Sequence, residues 1–395
     1  MKPCIVWDSI LSLVKASKGD ISQIVNMTTA LAEQKVNVSL VALNAGSLRI
    51  DGARVIQSPK LWYIRQRTRT LGRLFPELYG HGGTFNARHI ARFVASVLDP
   101  NEKYDLYHVR TRSLAIELKR LQPNKSLVYT AIPTFLHTQL PKDKALDQKA
   151  IDLADELIAL TEGWKQYILD TFDVRGREIN VIPVCVRGLK SITKKDESLD
   201  SLFDGRKVIG YFGRLQKNYG IDTLIETIPE VKKHVDNLSV IIAGGSVYSH
   251  GDELKALVQR LGIQDCVHFL GEIPRNLVPQ YLERCNVLVS LRYHEDSYKL
   301  GFDVSIPIKC VEYIMHGKPV IAIRDGGMEQ LLGKDYPYLV DHGNKTQIVD
   351  SLVKLLTDDE EARKIGIKNM LTSPSYTYEQ VASQLINVYN KFTNN

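Results

Sequence analysis

Long apolar runs are absent from this sequence: no stretch approaches the roughly 20 consecutive apolar residues that a membrane-spanning helix requires. The first residues also lack the charged start, the apolar core and the small-residue cleavage site of a signal peptide. With 44% hydrophobic and 24% charged residues, the composition is typical of a soluble globular protein. We therefore expect a cytoplasmic protein, either free or at the inner membrane surface.

Cysteine is also scarce. The five cysteines lie far apart, are odd in number and include no C-x-x-C pair. Scattered single cysteines are typical of reduced thiols, not of a disulfide framework or a zinc site. The cysteines are Cys4, Cys185, Cys266, Cys285 and Cys310. The sequence therefore predicts neither structural disulfides nor a metal site built on cysteine.

Positive charge is distributed unevenly along the chain. The net charge is +6, and residues 1–185 contain 25 Lys and Arg against 18 Asp and Glu, whereas residues 186–395 contain 26 against 27. This excess in the first half favours an acidic partner there, such as a lipid surface, a phosphorylated acceptor or a polyanion. A mildly basic, solvated surface is the simpler alternative. Because the excess is modest, nucleic-acid binding is not expected.

One segment, residues 60–75, concentrates this basic character. Aromatic and aliphatic side chains alternate there with Arg65, Arg67, Arg69 and Arg73. Such a segment is suited to lie on an anionic membrane or to grip a phosphorylated acceptor. The spacing is poor for an amphipathic helix, so an ordinary basic loop followed by a helix is the alternative.

Short apolar runs alternate with helical patterns of 10–15 residues, which predicts parallel α/β sheets. A chain of 395 residues is too long for one ordinary core, so we expect two domains. Ligands of such sheets bind outside the carboxyl ends of the strands. In the first half Gly19, His108 and Arg110 follow predicted strands, and Asp20 is placed to cap the first helix. His108 is therefore either a structural or a catalytic histidine.

The second half begins with Lys207-Val-Ile-Gly-Tyr-Phe-Gly-Arg-Leu215, which predicts a strand that ends in Gly213-Arg214, and Lys217 follows three residues later. Two cations after a strand end are suited to neutralise a diphosphate. An Arg–carboxylate pair between the domains is the alternative.

A helix is also predicted to start at Pro307, because its fixed φ suits the first turn and it has no N–H to leave unpaired. Lys309 and Glu312 are three residues apart and project from one side of that helix. The helix start attracts anions, and Lys309 adds charge beside it. A phosphate clamp and a hydroxyl-binding carboxylate on one turn indicate a nucleotide-sugar site. An ordinary helix entering a sheet fits the spacing equally well.

Taken in order, these motifs resemble those of the retaining nucleotide-sugar glycosyltransferases of family 4. The motifs are Tyr211-Phe-Gly-Arg-Leu215, Val267-His-Phe-Leu-Gly271, Pro307-Ile-Lys309, Glu312-Tyr313 and Gly317-Lys-Pro-Val-Ile321, with Ala154-Asp-Glu-Leu-Ile-Ala159 and Val181-Ile-Pro183 in the first half. The resemblance implies the GT-B architecture, an α/β fold in which two Rossmann-like domains face each other across a cleft. It divides the chain into an acceptor-binding domain (1–186), a linker (187–204), a sugar-nucleotide domain (205–375) and a C-terminal helix (376–395) that packs back on the first domain.

The resemblance also implies roles for individual residues. Arg214 and Lys217 hold the diphosphate, the backbone around Ile273 contacts the base and Glu312 binds the ribose hydroxyls. Other implied donor contacts are Gly213, Gly271, Asp303, Pro307, Ile308 and Lys309. His108 and Arg110 line the acceptor side as catalytic residues, with Gly19 and Asp20 nearby. The sequence departs from the family at Val304, where a second glutamate is common, and at Tyr219, where the family usually has its phosphate lysine.

The resemblance thus implies a retaining transfer of a sugar from a UDP- or GDP-sugar to a hydroxyl acceptor such as a glycan, a glycolipid or a small molecule. The family needs no metal, and this sequence has no Asp-x-Asp between apolar runs, so neither a metal nor a further cofactor is expected. Two alternatives remain: a catalytically weak, sugar-nucleotide-binding partner subunit, and a nucleotide-sugar epimerase of the same architecture.

Overall fold

The chain was analysed in a computed structural model that describes residues 2–7, 19–42, 48–57, 104–131, 141–187, 200–245, 250–292 and 303–392. It divides into two compact units. Unit 1 comprises residues 1–185 and 376–395, and unit 2 comprises residues 186–375. The basic segment 60–75 and most of the predicted linker lie outside the described residues. None of the described helices combines the length and apolar character needed to cross a bilayer.

Thirteen strands are present among the described residues. They are β1 (Pro3–Trp7), β2 (Ser39–Ala42), β3 (Arg54–Gln57), β4 (Leu106–Val109), β5 (Ser126–Thr130), β6 (Glu156–Ala159), β7 (Ile179–Val181), β8 (Lys207–Phe212), β9 (Leu238–Ala243), β10 (Val267–Gly271), β11 (Val287–Ser290), β12 (Val320–Ile323) and β13 (Leu339–Val340).

Thirteen α-helices are described between and after these strands. They are α1 (Gly19–Glu33), α2 (Arg112–Leu121), α3 (Pro141–Leu153), α4 (Glu162–Thr171), α5 (Asp200–Phe203), α6 (Ile221–Val231), α7 (His250–Arg260), α8 (Val278–Arg284), α9 (Ile308–Met315), α10 (Gly326–Leu332), α11 (Lys345–Thr357), α12 (Asp359–Thr372) and α13 (Tyr378–Asn390). Short 3-10 turns lie at Lys217–Tyr219 and Ser373–Tyr376.

Unit 1 is built on a seven-stranded sheet in the order β3-β2-β1-β4-β5-β6-β7, with every described pair parallel. This is the doubly wound order of a Rossmann-like fold, with the chain reversing direction across the sheet between β1 and β4. Such strands are covered on both faces, which explains why β4 and β5 are almost entirely buried.

The C-terminal helix α13 belongs to unit 1. It packs against α1, and its apolar side chains join the buried cluster that contains Ile5, Ile24 and Leu40. The cluster members from α13 are Tyr378, Val381, Ala382, Leu385, Val388 and Tyr389. The core of unit 1 is thus completed by residues from the far end of the chain.

Unit 2 repeats the same topology with six parallel strands in the order β10-β9-β8-β11-β12-β13. Its switch point lies between β8 and β11, and ligands of such sheets bind beyond the carboxyl ends of the strands there. The strand β9 is buried at every position, and α6 buries one apolar stripe at helical spacing. The predicted α/β fold with two Rossmann-like domains is therefore confirmed.

The last residues of the predicted linker lie among the described residues, and the role of the segment as a linker stays a prediction. Residues 200–203 form the short helix α5, and Phe203 is buried. The Arg284 guanidinium lies 4.4 Å from the centre of the Phe203 ring and bonds Asp200 at 2.8 Å. This end of the segment packs into unit 2 because burial of the apolar Phe203 ring is favourable. The polar residues around Phe203 in the sequence give no indication of this burial.

Candidate active site

Three loops meet at the carboxyl edge of the unit 2 sheet. The Gly213 N–H donates to the Ala243 carbonyl at 2.9 Å, and the Gly244 N–H donates to the Gly271 carbonyl at 2.7 Å. These bonds join the segments that follow β8 and β9 to the last residues of β9 and β10. Gly244 has φ +149, and a side chain there would overlap the Gly213 carbonyl oxygen. The close approach of these loops therefore depends on glycine.

Lys309 reaches into this edge from the start of α9. Its Nζ lies 4.1 Å from the centre of the Tyr211 ring and 5.3 Å from that of Tyr219. The ammonium is buried and has no hydrogen-bond partner among the described residues. Burial, with a smaller contribution from the charge of Arg292, lowers the pKa of Lys309 to about 8. A buried cation without an anionic partner is a strong attractor for a bound anion.

The loop after β8 lies beside the Lys309 side chain. A methyl group on Gly213 would lie 3.4 Å from Lys309 Cδ and 3.2 Å from Tyr211 Oη, so a side chain there would fill the space beside Lys309. Tyr211 Oη donates to the Arg214 carbonyl at 2.7 Å and holds the turn of the loop. Arg214 and Lys217 are exposed, and Lys217 begins a 3-10 turn. The structure thus places the predicted cations Arg214, Lys217 and Lys309 in neighbouring segments of one sheet edge.

Glu312 follows Lys309 on α9, one turn further along. Its carboxylate is buried and contacts the Arg275 guanidinium, where Nη2 donates to Oε1. Burial raises the pKa of Glu312, and the charge and hydrogen bond of Arg275 act in the opposite direction. Tyr313, the next residue, ties the helix to the end of β8, because Tyr313 Oη accepts from the Phe212 N–H at 2.9 Å.

A buried ion pair fixes the segment that leads into α9. Arg292, just after β11, donates to Asp325 Oδ2 at 3.2 Å and to the Ser305 carbonyl. Asp325 also caps α10 by accepting from the Met328 N–H at 2.7 Å. The path of residues 303–305 toward the helix is set by these bonds, and the side chain that precedes Ser305 is Val304 rather than a carboxylate.

The remaining predicted donor residues lie around the same edge. Gly271 ends β10 with φ +70, Ile273 is half-buried in the segment that follows, and Asp303 is half-buried before α9. Pro307 precedes the first turn of α9, and Ile308 begins the helix. The donor roles predicted for these residues stay predictions.

In unit 1 the predicted acceptor-side residues have a different environment. His108 is buried, and its two ring nitrogens share hydrogen bonds with Tyr389 Oη at 2.6 Å and Thr130 Oγ1 at 2.7 Å. Burial, followed by the charge of Arg110, lowers the pKa of His108 to about 3, so the ring is neutral. Both ring nitrogens thus form hydrogen bonds to buried side chains of unit 1. The predicted catalytic role of His108 stays a prediction.

Arg110 follows β4 and is half-buried, with Nη1 donating to Gln23 Oε1 of α1 at 3.2 Å. Gly19 and Asp20 begin α1 at the same edge of the sheet. Parallel strands place these segments together, as the alternation of strands and helices predicts.

Three participants were not predicted from the sequence: Arg275, Arg292 and the Tyr211 ring beneath Lys309. The only feature of the sequence near Arg275 that indicates a functional residue is that its segment follows a predicted strand. Its partner Glu312 is 37 residues away. Tyr211 lies inside the Tyr211–Leu215 motif. Its position near the carboxyl end of a predicted strand could therefore have indicated that it belongs to the site.

Comparisons with known proteins address the second half of the chain most directly. Residues 194–370 match the family model described as "Glycosyl transferases group 1". D-inositol 3-phosphate glycosyltransferase from Corynebacterium jeikeium is 28% identical over 256 residues. That alignment covers 62% of this chain and 59% of the relative, so the chain spans about three fifths of the length of that protein.

Solved structures with the same fold cover the whole chain. Sucrose-phosphate synthase from Thermosynechococcus elongatus matches with a TM-score of 0.76 at 17% identity, covering 100% of this chain and 99% of that one. HepE from Anabaena, in complex with UDP and glucose, matches with a TM-score of 0.70 at 16% identity, covering 99% and 100%. At these identities the likeness shows the fold, which is GT-B.

Proposed function

We propose that this chain, which carries a group 1 glycosyltransferase domain and has the GT-B fold, is a retaining glycosyltransferase that uses a nucleoside-diphosphate sugar. The observation that carries the proposal is the buried ammonium of Lys309 at the start of α9, which has no hydrogen-bond partner among the described residues. It lies beside Gly213 at the switch point of the unit 2 sheet, where a diphosphate is suited to bind.

Cleavage of the sugar–phosphate bond builds negative charge on the leaving diphosphate. Lys309, Arg214 and Lys217 would stabilise this charge, together with the free N–H groups at the start of α9. A cation that is already desolvated needs little reorganisation, so its interaction strengthens as the charge develops. Because these groups supply positive charge themselves, we propose that transfer proceeds without a metal or another cofactor.

Glu312 is proposed to accept hydrogen bonds from the ribose hydroxyls of the donor. The backbone from Gly271 to Ile273 would contact the base, since this segment leaves β10 at the same sheet edge. The base is uracil or guanine in this proposal. HepE, whose solved complex contains UDP and glucose, shares the fold, which is compatible with a UDP-sugar donor.

Unit 1 is proposed to bind the hydroxyl acceptor, which is a glycan, a glycolipid or a small molecule. Arg110 at the end of β4 would contact it, with Gly19 and Asp20 at the start of α1. In a retaining transfer from the same face, the departing phosphate oxygen takes the proton of the acceptor hydroxyl. The reaction then does not require His108 as a base. We further propose a cytoplasmic location, with the basic segment 60–75 contacting an anionic inner-membrane surface.

The proposal is tested by nucleotide binding. UDP- and GDP-sugars are screened by thermal shift, because a ligand that binds only the folded state raises the melting temperature. Calorimetry with the best donor is then repeated on Glu312→Ala and Arg214→Ala. Loss of a hydrogen bond to a charged group costs about 1.5–3 kcal/mol, so affinity is expected to fall roughly 10- to 100-fold in each variant. Arg363→Ala on the exposed face of α12 is the matched control. Unchanged binding in both site variants would contradict the site.

A partner subunit without activity of its own is the second candidate, and Val304 favours it, because the family's second glutamate is missing there. Purified chain is incubated with the donor identified above, and release of free sugar is followed over hours. Slow hydrolysis that Lys309→Met abolishes supports the transferase. Tight donor binding with no turnover, alone or with hydroxyl acceptors, supports the partner subunit.

A further inference from the structure

Arg275 contacts the carboxylate that is proposed to bind the ribose, although nothing in the sequence pattern pairs the two residues. Arg275 lies four residues beyond Gly271, in the segment proposed to contact the base. Glu312 lies on α9, from which it reaches back to Arg275. The guanidinium is 39% exposed, whereas the carboxylate is 10% exposed. One side of the pair therefore faces solvent while the other is enclosed by the protein.

The contact with Arg275 favours the ionised form of the buried Glu312 carboxylate. A buried carboxylate is costly to keep ionised, and a neutral carboxyl group is a weaker acceptor for hydroxyl groups. Among the described residues, Arg275 is the charged group that acts on Glu312. Tyr313 is a second described titratable group that interacts with Glu312, and burial raises the pKa of its hydroxyl well above the ordinary value, so it stays neutral. The charge of Arg275 therefore decides whether Glu312 is ionised.

Only one carboxylate oxygen of Glu312 takes part in the contact with Arg275. Arg275 Nη2 donates to Oε1, and no hydrogen bond from a described residue reaches Oε2. An ionised carboxylate has about four acceptor positions, and a single N–H uses one of them. Glu312 can therefore keep its bond to Arg275 and accept from a ligand hydroxyl at the same time.

We propose that Arg275 is a positioning residue that fixes the Glu312 carboxylate through Oε1 and presents Oε2 to a ribose hydroxyl of the donor. This inference rests on the proposed function, because it assumes that a nucleotide binds at this edge. It adds that discrimination between ribose and deoxyribose depends on a residue from the base-contacting segment. Arg275 acts through Glu312 and is not assigned a contact with the reacting atoms.

The test measures a ratio of affinities. Dissociation constants of UDP and 2′-deoxy-UDP (or of GDP and 2′-deoxy-GDP if guanine is preferred) are determined by calorimetry at pH 5.5, 6.5 and 7.5. The diphosphate and its titration are common to both ligands, so they cancel in the ratio. The wild-type protein is expected to prefer the ribonucleotide about tenfold or more at every pH, as a hydrogen bond to a charged group implies.

Arg275→Gln is expected to lose this preference as the pH falls, because burial then leaves Glu312 without its cation and the carboxyl takes up a proton. Arg275→Lys keeps the charge and is expected to restore a preference that does not change with pH. Glu312→Gln should show little preference at any pH, with or without Arg275. Circular dichroism of each variant checks that the fold is retained, and Arg275→Lys carries the test if Arg275→Gln does not fold.

Three outcomes would overturn the inference. Arg275→Gln that keeps the wild-type ratio at every pH would show that Arg275 does not position Glu312. Tighter ribonucleotide binding in that variant would show that Arg275 competes with the ribose. A wild-type protein that binds the diphosphates without preferring the ribonucleotide would show that Glu312 does not bind the 2′-hydroxyl, while the proposed use of a nucleotide-sugar donor would be unaffected. A wild-type protein that binds neither diphosphate would instead contradict the proposed function itself.

Discussion

The buried ammonium of Lys309 has no hydrogen-bond partner in the part of the chain that the structure describes. Its ammonium lies over the Tyr211 ring, and a cation–π contact of a desolvated cation contributes about 2 kcal/mol, which offsets only part of the cost of burial. The lowered pKa reflects the remaining cost. A diphosphate placed beside this ammonium would remove the penalty, so binding and protonation of Lys309 are linked.

The linkage predicts how nucleotide affinity changes with pH. Binding requires the protonated amine, whose pKa in the free protein is about 8. The affinity for UDP or GDP should therefore be constant near pH 7 and fall above pH 8, by up to about tenfold per pH unit. The terminal phosphate is mostly ionised at pH 7, since the second pKa of a phosphate monoester is near 6, so its own titration contributes little above that pH. Calorimetry at pH 7, 8, 9 and 9.5 measures the profile.

Two variants show whether Lys309 is the group responsible. Lys309→Arg should abolish the fall, because an arginine stays charged throughout this range. Lys364→Met, at an exposed position of α12, should leave the wild-type profile intact. An affinity that is independent of pH up to 9.5 in the wild-type protein would argue against a contact between Lys309 and the diphosphate.

His108 is a second buried titratable residue, and its effect is on stability. The folded protein holds the ring neutral with a pKa of about 3, whereas an unfolded chain takes up the proton near pH 6.5. The unfolded state binds more protons between these values. The free energy of unfolding of unit 1 should therefore decrease as the pH falls below 6.5, by about 1.4 kcal/mol per pH unit from this residue.

Tryptophan fluorescence isolates this effect, because all three tryptophans of the sequence lie within residues 1–185. Urea unfolding is followed at pH 7, 6 and 5 in the wild-type protein and in His108→Gln, whose amide can bond both Thr130 and Tyr389. The dependence on pH should be weaker in the variant by the amount given above. His234→Gln, which changes an exposed histidine of unit 2, should behave as the wild-type protein does. Equal slopes in all three proteins would rule out His108 as the source.

At the scale of the elements, the loops after β8 and β9 depend on the absence of a side chain at Gly244. Gly244→Ala would place a methyl group against the Gly213 carbonyl oxygen. The loop that carries Gly213 and Arg214 must then move, and an overpacked position costs typically 1–3 kcal/mol beyond the backbone strain. We expect a lower urea midpoint, monitored by circular dichroism, together with weaker nucleotide binding.

Gly262 provides a matched control for this change. It also has a positive φ, +66, but no atom of a described residue lies within 4 Å of the position that a side chain would take. Gly262→Ala should cost only the left-handed backbone penalty of roughly 1–2 kcal/mol and leave nucleotide affinity unchanged. If the two variants lose equal stability and bind equally well, the contact between the loops is not what positions the site.

The elements themselves were largely predictable from the sequence. The predicted strand that begins at Lys207 is confirmed, because buried parallel strands are short continuous apolar runs between turn residues. The helix after Pro307 is confirmed as well, since proline and Gly317 mark its two ends. Local chemistry specified these elements, so no knowledge of distant contacts was needed.

The contacts that shape the site were not predictable in the same way. Arg275 and Glu312 are 37 residues apart, and His108 and Tyr389 are 281 apart. No periodicity or motif links such pairs, because they are brought together only when the sheet order is established. Lys309 illustrates the intermediate case: its place on the helix followed from spacing, but its burial against Tyr211 depended on the neighbouring strand.

At the scale of the whole molecule, the two units have the same strand order but differ in which parts of the chain form them. Unit 2 is formed by one continuous stretch, residues 186–375, whereas unit 1 uses both ends of the chain. A unit whose core includes α13 is completed only after residues 378–390 are available. Its stability should therefore respond to substitutions about 200 residues beyond the end of its sheet, at residues that belong to α13.

Leu385 provides the direct test of this dependence. It is buried in the unit 1 cluster, and truncating such a leucine costs about 2–5 kcal/mol. Leu385→Ala is therefore expected to shift the urea transition reported by tryptophan fluorescence, although every tryptophan lies more than 200 residues earlier in the chain. Leu371→Ala, at a 77% exposed position of α12 in unit 2, makes the same chemical change and should alter that transition by no more than about 0.5 kcal/mol. Matching shifts in the two variants would mean that α13 does not complete the core of unit 1. A shift confined to Leu385→Ala identifies the C-terminal helix as part of the domain in which the chain begins.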